Sequence, residues 1–361
     1  MDSPLLQTYI SQLQGQLLDD LCTSVPALTE LYQYYVRLQS KRLRPRLILL
    51  MAQATNGLGS AWSKKQCLPG PLQVEENDCS LNQSGLANVI LPEQLRLAEV
   101  IEMIHVATLM HDDVIDESPL RRGAPSAPAQ FGNKQSILGG DALLARALML
   151  SASLGVPEVV TNVASVLSTL VEGELLQAQD TMTPVKQTSD DESRKPGSSD
   201  WDSYLKKTYM KTASLFSRAL SCTVILGGAT ESDPLRDIAS EFGSQLGMAF
   251  QIVDDILDFE GGEAMGKPVT ADLHLGLATA PVLFALEEND EMQQLVDRRF
   301  QEPGDVQRAT MIVKSTNALP RAGAVARAYA QKAHDALAPL PASPAKVALQ
   351  CLAMGVIARD H

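Results

Sequence analysis

The stretch LPEQLRLAEVIEMIHVATLMHDDVID, residues 91–116, decides how the chain is read. Its positions Leu97, Val100, Ile101, Ile104, Thr108 and Val114 recur at helical spacing with little alternation, which predicts a long helix. That helix runs into three aspartates, Asp112, Asp113 and Asp116. The same spacing returns in QIVDDILDF, residues 251–259, as Asp254, Asp255 and Asp258. On a helix Asp112 and Asp116 are i and i+4 and share a face, as do Asp254 and Asp258. The intervening pairs, Val114-Ile115 and Ile256-Leu257, are apolar, so neither cluster is expected on a fully solvated helix. Like charges at this spacing destabilise a helix, and partial burial adds to the cost. A compensating cation is the simplest answer. All-oxygen clusters suit hard ions, and Mg²⁺ binds through one or two carboxylates plus substrate phosphates. An EF-hand is disfavoured, because its glycine and terminal glutamate are absent. A single DDxxD fits an acidic helix face or cap. Two copies within apolar helices favour Mg²⁺ bridging to a phosphate-bearing ligand.

Outward from these motifs the rest of the chain also reads as helix. DALLARALMLSASL (141–154), EVVTNVASVLSTLVEGELLQAQ (158–179) and SEFGSQLGMAFQIVDDILDF (240–259) carry the same period. Short β-branched runs bounded by turns are not evident. The expectation is an all-α, single-domain helical bundle over residues 1–361, with several helices apolar nearly all round and therefore interior. Residues 55–90 and 181–200, rich in Gly, Ser, Asn, Pro or charge, read as flexible insertions.

At 361 residues the chain can bury a sizeable core, and its net charge of −13 disfavours nucleic acid as a partner. No apolar run reaches the length of a transmembrane segment. The five cysteines form no CxxC, which predicts reduced thiols in an intracellular protein. Acidic residues precede Arg37, the first basic residue, so no targeting segment is evident and a cytoplasmic location is expected.

A phosphate-bearing ligand needs cations. SKRLRPRL offers Lys41, Arg42, Arg44 and Arg46; SPLRRGAPS offers Arg121 and Arg122; YMKTASLF offers Lys211 and Thr212; MGKPVTAD offers Lys267. Each alone reads as a solvated surface group. Together they suit anionic groups held in a cavity.

With these residues in view, the sequence resembles a trans-isoprenyl diphosphate synthase from about residue 30 to its C-terminus. HDDVID resembles the first aspartate-rich motif of that family and DDILD the second, while KRLRP, RRG, KTASLF, GMAFQIVDDILDF and GKP follow in the family's order. The resemblance implies an all-α bundle around a deep central cavity, usually a homodimer. In it the two motifs face one another and hold Mg²⁺ that binds an allylic diphosphate. Ionisation gives an allylic cation, the C=C bond of isopentenyl diphosphate attacks it, and a proton passes to the released diphosphate. The product is five carbons longer and can react again.

Carried over residue by residue, Asp112, Asp116 and Asp254 match metal ligands, with Asp113, Asp255 and Asp258 supporting them directly or through water. Lys41, Arg44, His105 and Arg122 match positions that hold isopentenyl diphosphate. Arg121, Lys211, Thr212, Gln251 and Lys267 match contacts to the allylic diphosphate, and Lys211 counts with Asp112, Asp116 and Asp254 among the catalytic positions. His105 alone reads as a core histidine, but it lies seven residues before Asp112 on the same helical face. Two positions depart from the family: Gln39-Ser40 stand where many members have Gly-Gly, and Leu277 stands where many have a second lysine.

Chain length in this family is set beneath the first motif. Ala107, five positions before Asp112, stands where short-chain enzymes often carry an aromatic, so the resemblance implies a product beyond fifteen carbons. Met103 and Ile104 are candidates for the next floor, or core. VEGELLQ, LGLATAPVLFALEE and RRFQEPGDVQRA look closest to the long-chain synthases of ubiquinone side-chain biosynthesis, which also admits a mitochondrial location. The alternatives are a shorter-chain (geranylgeranyl or geranylfarnesyl) synthase of secondary metabolism, a terpene cyclase on the same fold, and a non-catalytic partner subunit.

Overall fold

The structure is a computed structural model that describes residues 4–38, 42–65, 83, 85–86, 89–182, 198–260 and 270–358. The cores of both expected insertions lie outside the described residues, as do Lys41 and Lys267. In chain order the elements begin with helices α1 (Pro4–Asp20), α2 (Pro26–Arg37), α3 (Leu43–Thr55), α4 (Trp62–Lys65) and α5 (Pro92–Ile115). Strands β1 (Leu120–Arg121) and β2 (Ala124–Pro125) follow, then α6 (Ala127–Phe131), α7 (Asn133–Ser153), α8 (Pro157–Met182) and α9 (Ser198–Thr208). A π-helical stretch, Tyr209–Ala213, leads into α10 (Ser214–Leu226) and α11 (Leu235–Glu260). The chain ends with α12 (Ala271–His274), α13 (Ala280–Glu288), α14 (Asp290–Asp297), α15 (Asp305–Ser315), α16 (Ala318–Ala336) and α17 (Pro344–Gly355). The class is all-α, as expected; the two strands are a two-residue hairpin too short to leave a periodic signal.

The described residues form two compact units. The first comprises residues 1–166, 215–243 and 334–352, and the second 167–214, 244–333 and 353–361. The first is organised around α5, whose Leu97, Ala98, Val100, Ile101, Met103, Ile104, Ala107 and Met110 are all buried. One side of α5 lies along α7, where a Cβ on Gly140 would overlap the His111 ring. At its start, Asn56 and Gln94 exchange side-chain hydrogen bonds of 2.8 and 2.9 Å, and Gln94 also donates to the Thr223 carbonyl at 3.0 Å. A buried polar pair this fully satisfied fixes α3, α5 and α10 in one arrangement.

A second polar group in this core is less comfortable. Glu99 is wholly buried, bonded to Arg96 at 2.6 Å, and Arg96 in turn reaches Asp20 of α1. Burial pushes the Glu99 carboxyl up to about 7, against the pull of Arg96. Because the folded value lies above the unfolded one, the folded state binds the extra proton, and stability falls as pH rises from about 4.5 through 7. Glu99→Gln should therefore raise the melting temperature at pH 8, by on the order of 1–2 kcal/mol of stability, and change little at pH 5. Thermal melts at both pH values check this; equal shifts at both would show that charge is not the cause.

Helix α8 departs from the expected interior position. Its Val159, Val163, Val166 and Leu170 are buried, but Val171 and Leu175 are 59% and 58% exposed. Residues Pro157–Gln179 are long and apolar enough to cross a membrane by length and composition, where the sequence predicted no such segment. The alternation of buried and exposed positions along them is that of a helix lying on a protein surface.

Candidate active site

The first aspartate cluster sits at the end of α5. The helix closes with Asp116 as its C-cap, φ −85°, whose amide still donates to the Asp112 carbonyl at 2.8 Å. Asp112 and Asp116 thus stack one turn apart, partly exposed, at the negative end of the helix dipole, with no basic residue in the last turn. Ile115, one of the apolar residues that argued against a fully solvated helix, is 61% exposed, being the last helical residue and facing outward.

Asp113 turns inward. It is fully buried and accepts from the Tyr35 hydroxyl at 2.6 Å and from Nε of Arg121 at 2.9 Å, with Nη2 of Arg121 on the same oxygen. The Tyr35 hydroxyl also accepts from the Ala127 amide at 3.1 Å, which ties α2 and the start of α6 to the cluster. Arg121 reaches Asp113 from the β1–β2 hairpin. The hairpin tip, Arg122-Gly123, has φ of +53° and +76°, the pair of positive values a tight antiparallel turn requires. The RRG motif is therefore a turn that presents two guanidinium groups.

Arg122 and His105 line one cavity of the first unit, together with Tyr35, Arg42, Glu102 and Arg121. Burial, then the charges of Arg44, Arg122 and Arg121, hold the His105 imidazole well below its ordinary value, so the ring is neutral. Arg44 lies near the same groups with its guanidinium 4.8 Å from the Phe216 ring centroid.

The second cluster ends α11, again with no basic residue in the last turn. Asp254 is partly exposed. Asp255 is buried and accepts from the Tyr204 hydroxyl at 2.6 Å and from Nε2 of Gln251 at 3.0 Å. Burial pushes its carboxyl up to about 6, while the Tyr204 and Gln251 hydrogen bonds oppose that. Asp258 accepts from the backbone N–H groups of Ala271 and Asp272 at 3.0 and 3.3 Å, which anchors the start of α12. Gln251 also accepts from the Thr212 hydroxyl at 2.7 Å. Lys211 pairs with Glu174 and donates to Gln177, each at 2.8 Å. Lys211 and Thr212 both lie in the π-helical stretch, an irregularity common at functional sites. Gly173 lets α8 approach that stretch, since a Cβ there would meet Lys211 Cγ and Met210 Cβ at 3.0 Å.

Each cluster therefore repeats one plan: the middle aspartate is buried under a tyrosine hydroxyl and steadies a neighbouring polar group, Arg121 or Gln251. Tyr35, Tyr204, Glu102, Glu174 and Gln177 were not singled out from the sequence. Only Glu174 and Gln177, i and i+3 in VEGELLQ, left a usable signal. Among the described residues no three His, Cys, Asp or Glu side chains converge into a ready-made metal cage. The donors present, aspartate carboxylates, suit a hard ion that takes two carboxylates and completes its shell with phosphate oxygens and water.

An all-α fold with two such aspartate clusters, the first beside Arg121 and the second joined through Gln251 and Thr212 to the stretch that carries Lys211, fits a transferase acting on diphosphates. The chain belongs to the polyprenyl synthetase family, whose pattern matches residues 25–313, and it is a prenyltransferase of isoprenoid biosynthesis. It is 40% identical to decaprenyl-diphosphate synthase subunit 1 of Schizosaccharomyces pombe over 99% of this chain and 91% of that protein. It is likewise 40% identical to a probable mitochondrial hexaprenyl pyrophosphate synthase of Neurospora crassa, over 96% of this chain and 79% of that one. Among solved structures, a polyprenyl synthase from Caulobacter crescentus in complex with calcium and isoprenyl diphosphate superposes with a TM-score of 0.79 at 28% identity, covering 99% of this chain and 96% of that chain.

Proposed function

We propose that the chain condenses an allylic diphosphate with isopentenyl diphosphate, using Mg²⁺, and repeats the step to a medium or long all-trans polyprenyl diphosphate. The observation that carries this reading is the placement of both aspartate clusters at helix C-termini that lack a basic residue. Negative charge at the negative end of a dipole costs stability unless a cation binds there. Asp112, Asp116, Asp254 and Asp258 would hold the metal. When bound, Mg²⁺ neutralises the departing diphosphate. Asp113 and Asp255 act from behind: Asp113 holds Arg121, and Asp255 holds Gln251 and through it Thr212, groups that match contacts to the allylic diphosphate. Lys211, steadied by Glu174 and Gln177, and Lys267 complete that set. Neutral His105, with Lys41, Arg44 and Arg122, binds isopentenyl diphosphate.

The calcium and isoprenyl diphosphate of the Caulobacter complex support a divalent metal here. The family match runs without interruption through both compact units, which supports one synthase domain. Ile137, Leu138 and Met149 of α7 are exposed apolar groups that support a homodimer. The mitochondrial relative from Neurospora supports a mitochondrial location over a cytoplasmic one.

The test is incubation of the purified chain with Mg²⁺, labelled isopentenyl diphosphate and a farnesyl or geranylgeranyl primer, with chromatography of the product. Label in a chain beyond fifteen carbons is expected. No label in any product would leave a cyclase or a partner subunit. Chain length is tested at Ala107, which is fully buried on α5 with Met103 and Ile104 a turn away. Ala107→Phe should shorten the product because an aromatic there would supply the floor that short-chain enzymes of the family carry at this position. An unchanged length distribution places the floor elsewhere.

A further inference from the structure

Arg42, inside the KRLRP motif, has no role in the reading above, yet it is the most constrained of the motif's described cations. It is a non-glycine residue at φ +45°, it precedes the first turn of α3, and it is only 6% exposed. Its Nη2 donates to the Val36 carbonyl at 2.8 Å, and its Nη1 lies 3.5 Å from Glu102 of α5. With its amide turned to satisfy both partners, Gln14 of α1 accepts from its Nε and Nη2 at 2.9 and 3.1 Å. One side chain thus ties α1, α2 and α5 to the start of α3. Left-handed backbone at a bulky residue persists only where its surroundings hold it, and such residues gather at functional sites.

Glu102 presents the complementary puzzle. It is buried, one turn before His105 on the same helix, and lines the same cavity as His105, Arg121 and Arg122. A carboxylate there would repel a diphosphate unless its charge were already engaged. Arg42 engages it at 3.5 Å, Arg44 and Arg122 also face it, and Arg44, two residues further on, faces His105 as well.

We propose that Arg42 and Glu102 are a positioning pair for isopentenyl diphosphate: the bond between them fixes the N-terminus of α3, and with it Arg44, against His105 and Arg122. The inference rests on the assignment of these cations to that substrate. The pair lines the same cavity and acts by holding Arg44 in place before the ligand arrives.

The purified full chain is assayed with Mg²⁺, isopentenyl diphosphate and a farnesyl primer. Glu102→Gln should raise the isopentenyl diphosphate KM about 10-fold or more while the allylic KM stays within about twofold. Arg42→Lys keeps the charge, loses the fork and should do the same. The double variant should be no worse than either single one, as expected of a pair acting as one unit. An isopentenyl diphosphate KM that is unchanged or lower overturns the proposal. So does a parallel rise of both KM values with a lower melting temperature, which marks a general fold defect. His105→Ala separates the two levels of argument. If it also leaves the isopentenyl diphosphate KM unchanged, the substrate assignment fails; if it raises that KM and Glu102→Gln does not, only the positioning pair fails.

Discussion

Replacing Asp112 or Asp254 by alanine should lower turnover roughly 10³-fold or more, because each change removes charge stabilisation needed in the transition state. The fold should not suffer. Asp112 is partly exposed at the end of α5, and Asp254 is partly exposed in the last two turns of α11, each at the negative end of a dipole. Removing a carboxylate from such a place relieves repulsion from the dipole and from neighbouring carboxylates while losing attractions such as that of Asp112 to Arg121, so stability should change little. The expected signature is therefore a loss of kcat with little change in melting temperature, and a weaker response to added Mg²⁺. Steady-state assays with labelled isopentenyl diphosphate, paired with thermal melts, read both quantities. Near-normal turnover in either variant would remove that residue from the metal site.

The contrast between outer and middle aspartates bears on what could be read in advance. Periodicity exposed α5 and α11, and spacing placed Asp112 with Asp116 and Asp254 with Asp258 on shared faces, as the structure has them. Spacing could not assign the middle residue. A helical position between two outward faces is inward only if something packs there, and the partners lie far away in sequence: Tyr35 is 78 residues from Asp113, and Tyr204 is 51 residues from Asp255. Tyrosines so distant carry no local pattern. The π-helical turn under Lys211 and Thr212 was equally silent, since one widened turn leaves helical periodicity almost unchanged. The hairpin at Leu120–Pro125 was legible only as RRG, a glycine after two arginines, and the positive φ of Arg122 follows from closing a two-residue loop. Buried charges were the hardest to foresee. Glu99 and Glu102 sit at positions where helical spacing alone predicts apolar residues, and each is explained only by an arginine from elsewhere in the fold or in the same helix.

Asp113→Ala should show the opposite signature from Asp112→Ala. Its carboxylate has no exposure and receives the Tyr35 hydroxyl and the Arg121 guanidinium, whose side chain is only 12% exposed. Alanine leaves a buried cation and a buried hydroxyl without their acceptor. Breaking one partner of a buried pair costs about 3–5 kcal/mol, which for a domain of this size lowers the melting temperature by on the order of 10 °C. Activity should fall as well, through a raised allylic KM, because Arg121 loses the group that aims it. Asp113→Asn keeps an acceptor oxygen of the same shape, so it should recover part of the stability while still weakening the charge-assisted bond to Arg121. Thermal melts and allylic KM values for both variants, measured beside Asp112→Ala, separate the roles. A melting temperature unchanged in Asp113→Ala, with the Mg²⁺ response abolished, would make Asp113 a metal ligand and end its reading as the residue that holds Arg121 in place.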